Sequence, residues 1–280
     1  MKKYYTRACN FFYGQNSKKL VENKKALPLC GNSSISFNQI EIFIRDKNKV
    51  NSKIINVRDI KKTSPFLKKK IKKDLKKITE RRGLLKNKSH ILMGVLNITP
   101  DSFSDGGKFN SQKKAVTHAK QMYKSGANII DIGGESTRPG SKPINAKVEW
   151  NRIKNSLRLL NRKVPISLDT RKSEIMEKGI KFGVKIINDV SGLDYDPRTI
   201  LFLKKYKVPF VIQHSKGEPV NMQDNPIYEN ELLDIYDFFE KKIKFLRSQG
   251  IKHNKIIIDP GIGFGKNLKH NMNLMSNISI

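Results

Sequence analysis

From residue 90 onward, short apolar runs alternate with segments of helical period. The runs are Ile91–Leu96, Asn128–Ile132, Val164–Leu168, Val184–Ile187, Pro209–Ile212 and Lys255–Ile258. Between them, Ala115, Ala119 and Met122 form a stripe that Gly126 ends. Trp150, Ile153, Leu157 and Leu160 form a second stripe. Leu232, Tyr236, Phe239, Ile243 and Leu246 form a third, ended by Gly250. Recurrence at three and four residues buries one face of a helix, and a glycine past the last turn supplies a left-handed cap. Strand and helix in strict alternation predict a parallel α/β sheet.

Each run also stops at a polar group. Asn97 follows the first run, Asp131 interrupts the second and Asp169 follows the third. Asn188 and Asp189 follow the fourth, Gln213 and His214 the fifth, and Asp259 the sixth. A cap or turn role explains any one of these cheaply, but explains the whole series poorly. An open doubly wound sheet gathers its ligands at one switch point. Functional groups at every C-terminal strand end are the habit of a (β/α)8 barrel. The expected fold is α/β: an incomplete (β/α)8 TIM barrel, with about six of its eight β/α units, over residues 86–280.

Residues 1–85 read as a basic N-terminal extension. The chain has 280 residues and a formal net charge of +31, of which residues 1–90 carry +19 (25 Lys+Arg against 6 Asp+Glu). Residues 1–34 are polar and turn-rich and support no assignment. Ile40, Ile42 and Ile44 alternate with Gln39, Glu41 and Phe43; a polar turn at 46–49 and a second run from Lys53 to Val57 then predict a hairpin. Leu67, Ile71, Leu75 and Ile78 make an apolar stripe on a lysine-rich helix over about 63–80. A surface helix that docks its stripe and solvates its lysines accounts for this run. The charge could also neutralise phosphates, yet no nucleic-acid motif accompanies it, and a nucleic-acid partner is not expected. Charged residues make up 29% of the chain and no run of about 18 apolar residues occurs, so no membrane span is expected. Cys9 and Cys30 form neither a metal spacing nor a disulfide framework. A soluble, cytoplasmic protein is the expectation.

Three loops carry the chemistry. Met93 to Gly107 is a strand followed by a long polar loop with two carboxylates and two glycines, as a lid over a site requires. Asp131 to Gly140 gathers hydroxyls, an arginine and close glycines, which bring backbone near a phosphate. Asp259 to Asn267 is a third glycine loop. It is not a Walker A sequence, because no Ser or Thr follows Lys266.

These segments resemble the signature regions of the dihydropteroate synthase family, pterin-binding TIM barrels of folate synthesis. Leu168-Asp169-Thr170, Ile186-Ile187-Asn188-Asp189, and His214 with Gly217, Pro219, Met222 and Gln223 agree in order, and the likeness runs from about residue 89 to 280. The resemblance implies a transferase that joins 6-hydroxymethyl-7,8-dihydropterin pyrophosphate to p-aminobenzoate and releases pyrophosphate, with Mg²⁺ as cofactor. It implies that Asp169, Asn188 and Asp259 pair with the pterin edge and that Asn97 holds the metal. It gives Thr137 and Arg138 the leaving pyrophosphate, and Arg138 offers a bidentate fork. It gives Asp101 and Asp105 the stabilisation of a cationic intermediate. Phe103, Pro139 and Phe264 become apolar walls for p-aminobenzoate. Glu135 is expected to hold its loop and His214 to line the pocket wall. The resemblance also implies a homodimer when full length.

The sequence departs from the family in two respects. The family's Ser-Arg-Lys at a seventh strand and Arg-x-His at an eighth have no counterpart, since Arg171-Lys172-Ser173 follows the third strand instead. About 195 residues remain after the extension, short of the roughly 250 usual for this barrel. The expectation is an incomplete copy that is inactive alone. The second departure is Gln213, where the family more often has an apolar residue. Rival readings are an inactive pterin-binding remnant and a pterin-dependent methyltransferase of the same superfamily.

Overall fold

The computed structural model describes residues 2–47, 49–81, 91–99, 108–136, 141–160, 163–217 and 226–279, with the backbone alone for 108–112. Two compact units emerge. One holds residues 1–83, 228–236 and 272–280; the other holds 84–227 and 237–271. The break at 83/84 lies beside the 85/86 boundary read from the sequence, and two later segments group with the first unit.

The first unit begins with β1 (Lys3–Tyr13), α1 (Gly14–Glu22), β2 (Leu27–Leu29), β3 (Asn32–Asp46) and β4 (Lys49–Asn56). A 3-10 turn at Val57–Lys62 leads to α2 (Pro65–Thr79). Long β3 is the centre of an antiparallel sheet. It pairs with β1 along one edge, and with β2 and then β4 along the other. The expected hairpin is β3–β4 and the expected basic helix is α2. Leu67, Ile71 and Leu75 of α2 pack with Ala8, Phe37, Ile40 and Ile42 of the sheet, while the lysines of α2 face outward or lie at the rim. Each such apolar side chain removed from water contributes about 1.5–3 kcal/mol. Asp74 is buried on the same helix. It accepts from the Thr6 hydroxyl at 2.9 Å and pairs with Lys70 at 2.8 Å. Arg45 of β3 is held by Glu229 at 2.6 Å and Asp234 at 2.7 Å.

The second unit alternates β5 (Met93–Asn97), α3 (Lys108–Lys124), β6 (Ile129–Gly133), α4 (Ala146–Leu160), β7 (Ile166–Asp169) and α5 (Ser173–Lys181). It continues with β8 (Ile186–Asp189), α6 (Thr199–Tyr206), β9 (Phe210–Gln213), α7 (Glu231–Ser248), β10 (Ile256–Asp259) and α8 (Leu268–Ser276). Its strands form one six-stranded sheet in sequence order, β5 to β10, every pair parallel. This is the α/β alternation expected. Each strand reaches one or two residues further than its apolar run, and all but β6, whose Asp131 lies within the run, take in a polar residue at the end.

Period two sorts the side chains. In a parallel pair, residues in register share a face. Register therefore places Val95 with Asp131 and Ser167, and Asn97 with Gly133, Asp169 and Asn188. It likewise places Asn188 with Val211, and Gln213 with Asp259. On the opposite face, Leu96, Ile130, Ile132, Ile166, Leu168, Ile187, Phe210 and Ile212 are buried. That is the side on which the crossover helices of a parallel sheet pack. The inner face has an apolar floor of Ile129, Ile186 and Val211, joined by Ile91 and Ile257. In β6, β8, β9 and β10 the residues two positions further along, Asp131, Asn188, Gln213 and Asp259, stand above that floor as a polar rim, which Asn97 of β5 and Ser167 and Asp169 of β7 join.

Candidate active site

The rim collects Asn97, Asp131, Ser167, Asp169, Asn188, Gln213 and Asp259 on one face. Asn97, Asp169, Asn188 and Asp259 are the ones to which the family resemblance gives a binding role, and Asp131 and Gln213 belong to the same strand-end series in the sequence. Gly133 lies between two of them. A Cβ there would sit 3.1 Å from Asp169 Oδ2 and 3.4 Å from Asn97 Oδ1, so the missing side chain leaves a gap that both oxygens border. Asn188 Nδ2 donates to Asp131 Oδ2 at 2.8 Å, which leaves Asn188 Oδ1 and Asp131 Oδ1 buried without partners. Asp259 Oδ1 accepts from the Gly261 amide at 2.8 Å and so fixes the start of its glycine loop.

The electrostatics favour a proton or a ligand donor at the rim. Burial pushes the Asp169 carboxyl well above its ordinary value, and the charges of Asp131, Glu149, Asp189 and Glu135 push it further. Burial also raises Asp131, against the Ser167 and Asn188 side chains that hold it down. A buried carboxylate without a full set of donors is costly. Groups that present N–H bonds, such as an aminopyrimidine edge, supply what is missing.

A buried ion network braces the rim. Lys172 Nζ lies 2.7 Å from Glu149 Oε2 and 2.8 Å from Glu135 Oε2. Arg171 donates twice to Glu135, at 3.0 and 3.2 Å, and stacks over the Tyr195 ring at 4.0 Å. Thr170, next to Asp169, donates through its hydroxyl to Glu149 at 2.5 Å. Glu135 also accepts from the Ile144 amide at 2.9 Å and thereby ties down the far end of the loop that begins at Ser136. Burial raises the Glu135 carboxyl, but Arg171 and Lys172 more than offset this and hold it below the ordinary value.

His214 stands on the helix side instead of lining the inner face. Its ring meets Phe238 edge-on at 4.9 Å, and its Nδ1 lies 3.1 Å from Lys266 Nζ. Lys266 also donates to the carbonyls of Phe264 at 2.8 Å, Gly261 at 2.9 Å and His214 at 3.2 Å, pinning the Gly-rich loop. Burial draws its pKa down to about 8, against the pull of Asp259. Phe264 is half-buried in that loop. Asp101, Phe103, Asp105, Thr137, Arg138 and Pro139 lie outside the described residues.

The sequence marks Asp131 as a strand-end polar group without giving it a site role, and sequence reasoning missed the Lys172–Glu149 pair and the Lys266 anchor. The ion pairs had no local signal, because their members are 23 and 37 residues apart. Among the described residues no group of three His, Cys, Asp or Glu side chains could hold a metal. Asn97 offers a single amide oxygen. That fits Mg²⁺, which commonly takes one or two protein ligands and completes its shell with water and phosphate oxygens. No helix among the described residues is long and apolar enough to cross a membrane.

The family model of pterin-binding enzymes matches residues 93–280. The dihydropteroate synthase of Synechocystis is 39% identical over 186 residues, which cover 66% of this chain and 64% of the relative. That of Escherichia coli is 40% identical over 190 residues, 67% of each chain. The chain thus spans about two thirds of the length of these relatives. Among solved structures, Yersinia pestis dihydropteroate synthase with a sulfonamide drug superposes with a TM-score of 0.63 at 40% identity, covering 67% of this chain and 69% of that one. The Xanthomonas albilineans enzyme with 4-aminobenzoic acid gives 0.62 at 35% identity, with 67% of each chain covered. With six parallel strands in sequence order and this match to the family model and to relatives about 40% identical, the chain belongs to the dihydropteroate synthase family of pterin-binding enzymes.

Proposed function

We propose that the inner rim binds the pterin of 6-hydroxymethyl-7,8-dihydropterin pyrophosphate and that the chain serves its condensation with p-aminobenzoate, releasing pyrophosphate. The observation that carries this reading is the placement of Asn97, Asp169, Asn188 and Asp259 on one face at the ends of β5, β7, β8 and β10, above an apolar floor. Asp169, Asp131 and Asn188 accept N–H groups of the flat ring, and the floor packs beneath it. Departure of pyrophosphate leaves a cationic pterin methylene, which the amine of p-aminobenzoate attacks with loss of a proton. Asp101 and Asp105 serve that cation, while Thr137 and Arg138 serve the leaving group. Phe103, Pro139 and Phe264 wall the p-aminobenzoate. Asn97 would hold Mg²⁺, which would supply neutralisation of pyrophosphate charge. The same proposal takes the protein as a cytoplasmic homodimer with small-molecule partners.

Pterin-ring affinity of the 280-residue chain, measured by calorimetry, tests the site. Pyrophosphate release with both substrates and Mg²⁺ tests the reaction. Asp169→Ala should weaken ring binding by about 2–4 kcal/mol, the loss of a buried charged hydrogen bond. Unchanged affinity would remove the assignment.

A further inference from the structure

Gln213 is the residue that the proposed reading leaves without a task. It is 4% exposed, and its Nε2 is buried with no hydrogen-bond partner. Register places it beside Asp259, two residues beyond the floor residue Val211, so its side chain belongs to the rim. Two glycines with left-handed backbone crowd it. A Cβ at Gly192 (φ +62°) would stand 2.8 Å from the Gln213 carbonyl oxygen. A Cβ at Gly261 (φ +66°) would collide with the His214 carbonyl and stand 3.2 Å from Gln213 Cγ. No ordinary side chain adopts that backbone readily, so the close packing around Gln213 is built into the turns on both sides.

The unpaired atoms of the rim are complementary in kind. Asp131 Oδ1 and Asn188 Oδ1 are buried acceptors, Ser167 Oγ is a buried hydroxyl beside Asp131, and Gln213 Nε2 is a buried amide donor beside Asp259. One of the two N–H groups of Asn188 Nδ2 goes to Asp131. A buried amide N–H left unmade is costly, and a ligand acceptor removes the cost. An aminopyrimidinone presents N–H groups and one exocyclic carbonyl. Carboxylates can serve the N–H groups but repel the carbonyl, which requires a donor.

We propose that Gln213 is a specificity-determining residue whose Nε2 donates to the exocyclic carbonyl of the bound ring, so that oxo-pterins are preferred over 2,4-diaminopteridines. This inference rests on the pterin site proposed above. An amino group in place of the carbonyl would set donor against donor.

The test measures binding of 6-hydroxymethyl-7,8-dihydropterin and of a 2,4-diaminopteridine to the 280-residue chain and to Gln213→Met, a change of similar length without a donor. Thermal unfolding without ligand is recorded in parallel. The oxo ring should bind Gln213→Met about 5- to 30-fold more weakly, the worth of one buried hydrogen bond. The diamino ring should change less than about twofold, so the preference collapses. The unliganded variant should unfold at the same or a higher temperature, because an unpaired buried amide is gone. Equal loss for both rings would show a packing effect and overturn the inference. So would equal affinity of wild type and variant for the oxo ring. If the wild-type chain binds neither ring, the pterin reading falls and this inference with it.

Discussion

Removing the Lys172 ammonium while keeping its length, as in Lys172→Met, probes the ion network directly. Lys172 Nζ makes two charged contacts, at 2.7 Å to Glu149 and 2.8 Å to Glu135. The two carboxylates do not lose equally. Glu135 keeps Arg171 and the Ile144 amide. Glu149 keeps the Thr170 hydroxyl, and its side chain is 0% exposed. The variant therefore strands one buried carboxylate, a change that costs about 3–5 kcal/mol. At roughly 2–4 °C per kcal/mol for a domain of this size, the melting temperature should fall by about 6–20 °C. Adding Glu149→Gln removes the stranded charge, and the double variant should recover to within about 1 kcal/mol of wild type. A pH series checks the sign. Glu135 is held below its ordinary value of 4.5, so its contribution is present above that pH and is lost as pH falls through the lower folded value. Lys172→Met weakens that contribution, so the gap to wild type should narrow in acid. Denaturant unfolding of the single and double variants supplies the numbers. A single-variant cost under about 1 kcal/mol, or a double variant worse than the single, would refute the argument.

Further outcomes follow from individual contacts. Gly133→Ala puts a methyl 3.1 Å from Asp169 Oδ2 and should lower pterin affinity about tenfold or more, while far-ultraviolet circular dichroism stays the same. In the first unit, Asp74→Ala leaves the buried Thr6 hydroxyl without its acceptor and should cost about 1–3 kcal/mol by urea unfolding. Asp196 is raised by burial but held down to about 2 by Ser173 and Arg198. Its contribution should be intact above about pH 4 and lost as pH falls through about 2, and Asp196→Asn should flatten that part of the stability curve.

The alternation of strand and helix was legible because each strand is a short β-branched run and the long helices carry full stripes. Helices α5 and α6 have nine and eight residues, too few turns for a period to show. The run ends were set one or two residues short, because hydropathy stops at Asn97, Asp169, Asn188, Gln213 and Asp259 whereas the backbone ladder continues through them. The first 34 residues gave no pattern because β1 is partly buried on both faces, so no clean alternation survives. Asp169 and Asn188 could be chosen from their positions. The Lys172 pairs could not, since they join α4, the end of β6 and the start of α5 across long stretches of sequence.

The floor and the rim occupy the same strands, two residues apart. A one-residue slip in β6, β8, β9 or β10 would turn an isoleucine or valine of the floor and a polar group of the rim outward together. Misregistered chains would thus lose core and ligand contacts in the same error. Ligand affinity then doubles as a readout of correct strand alignment, and a bound ring favours the correct register by mass action.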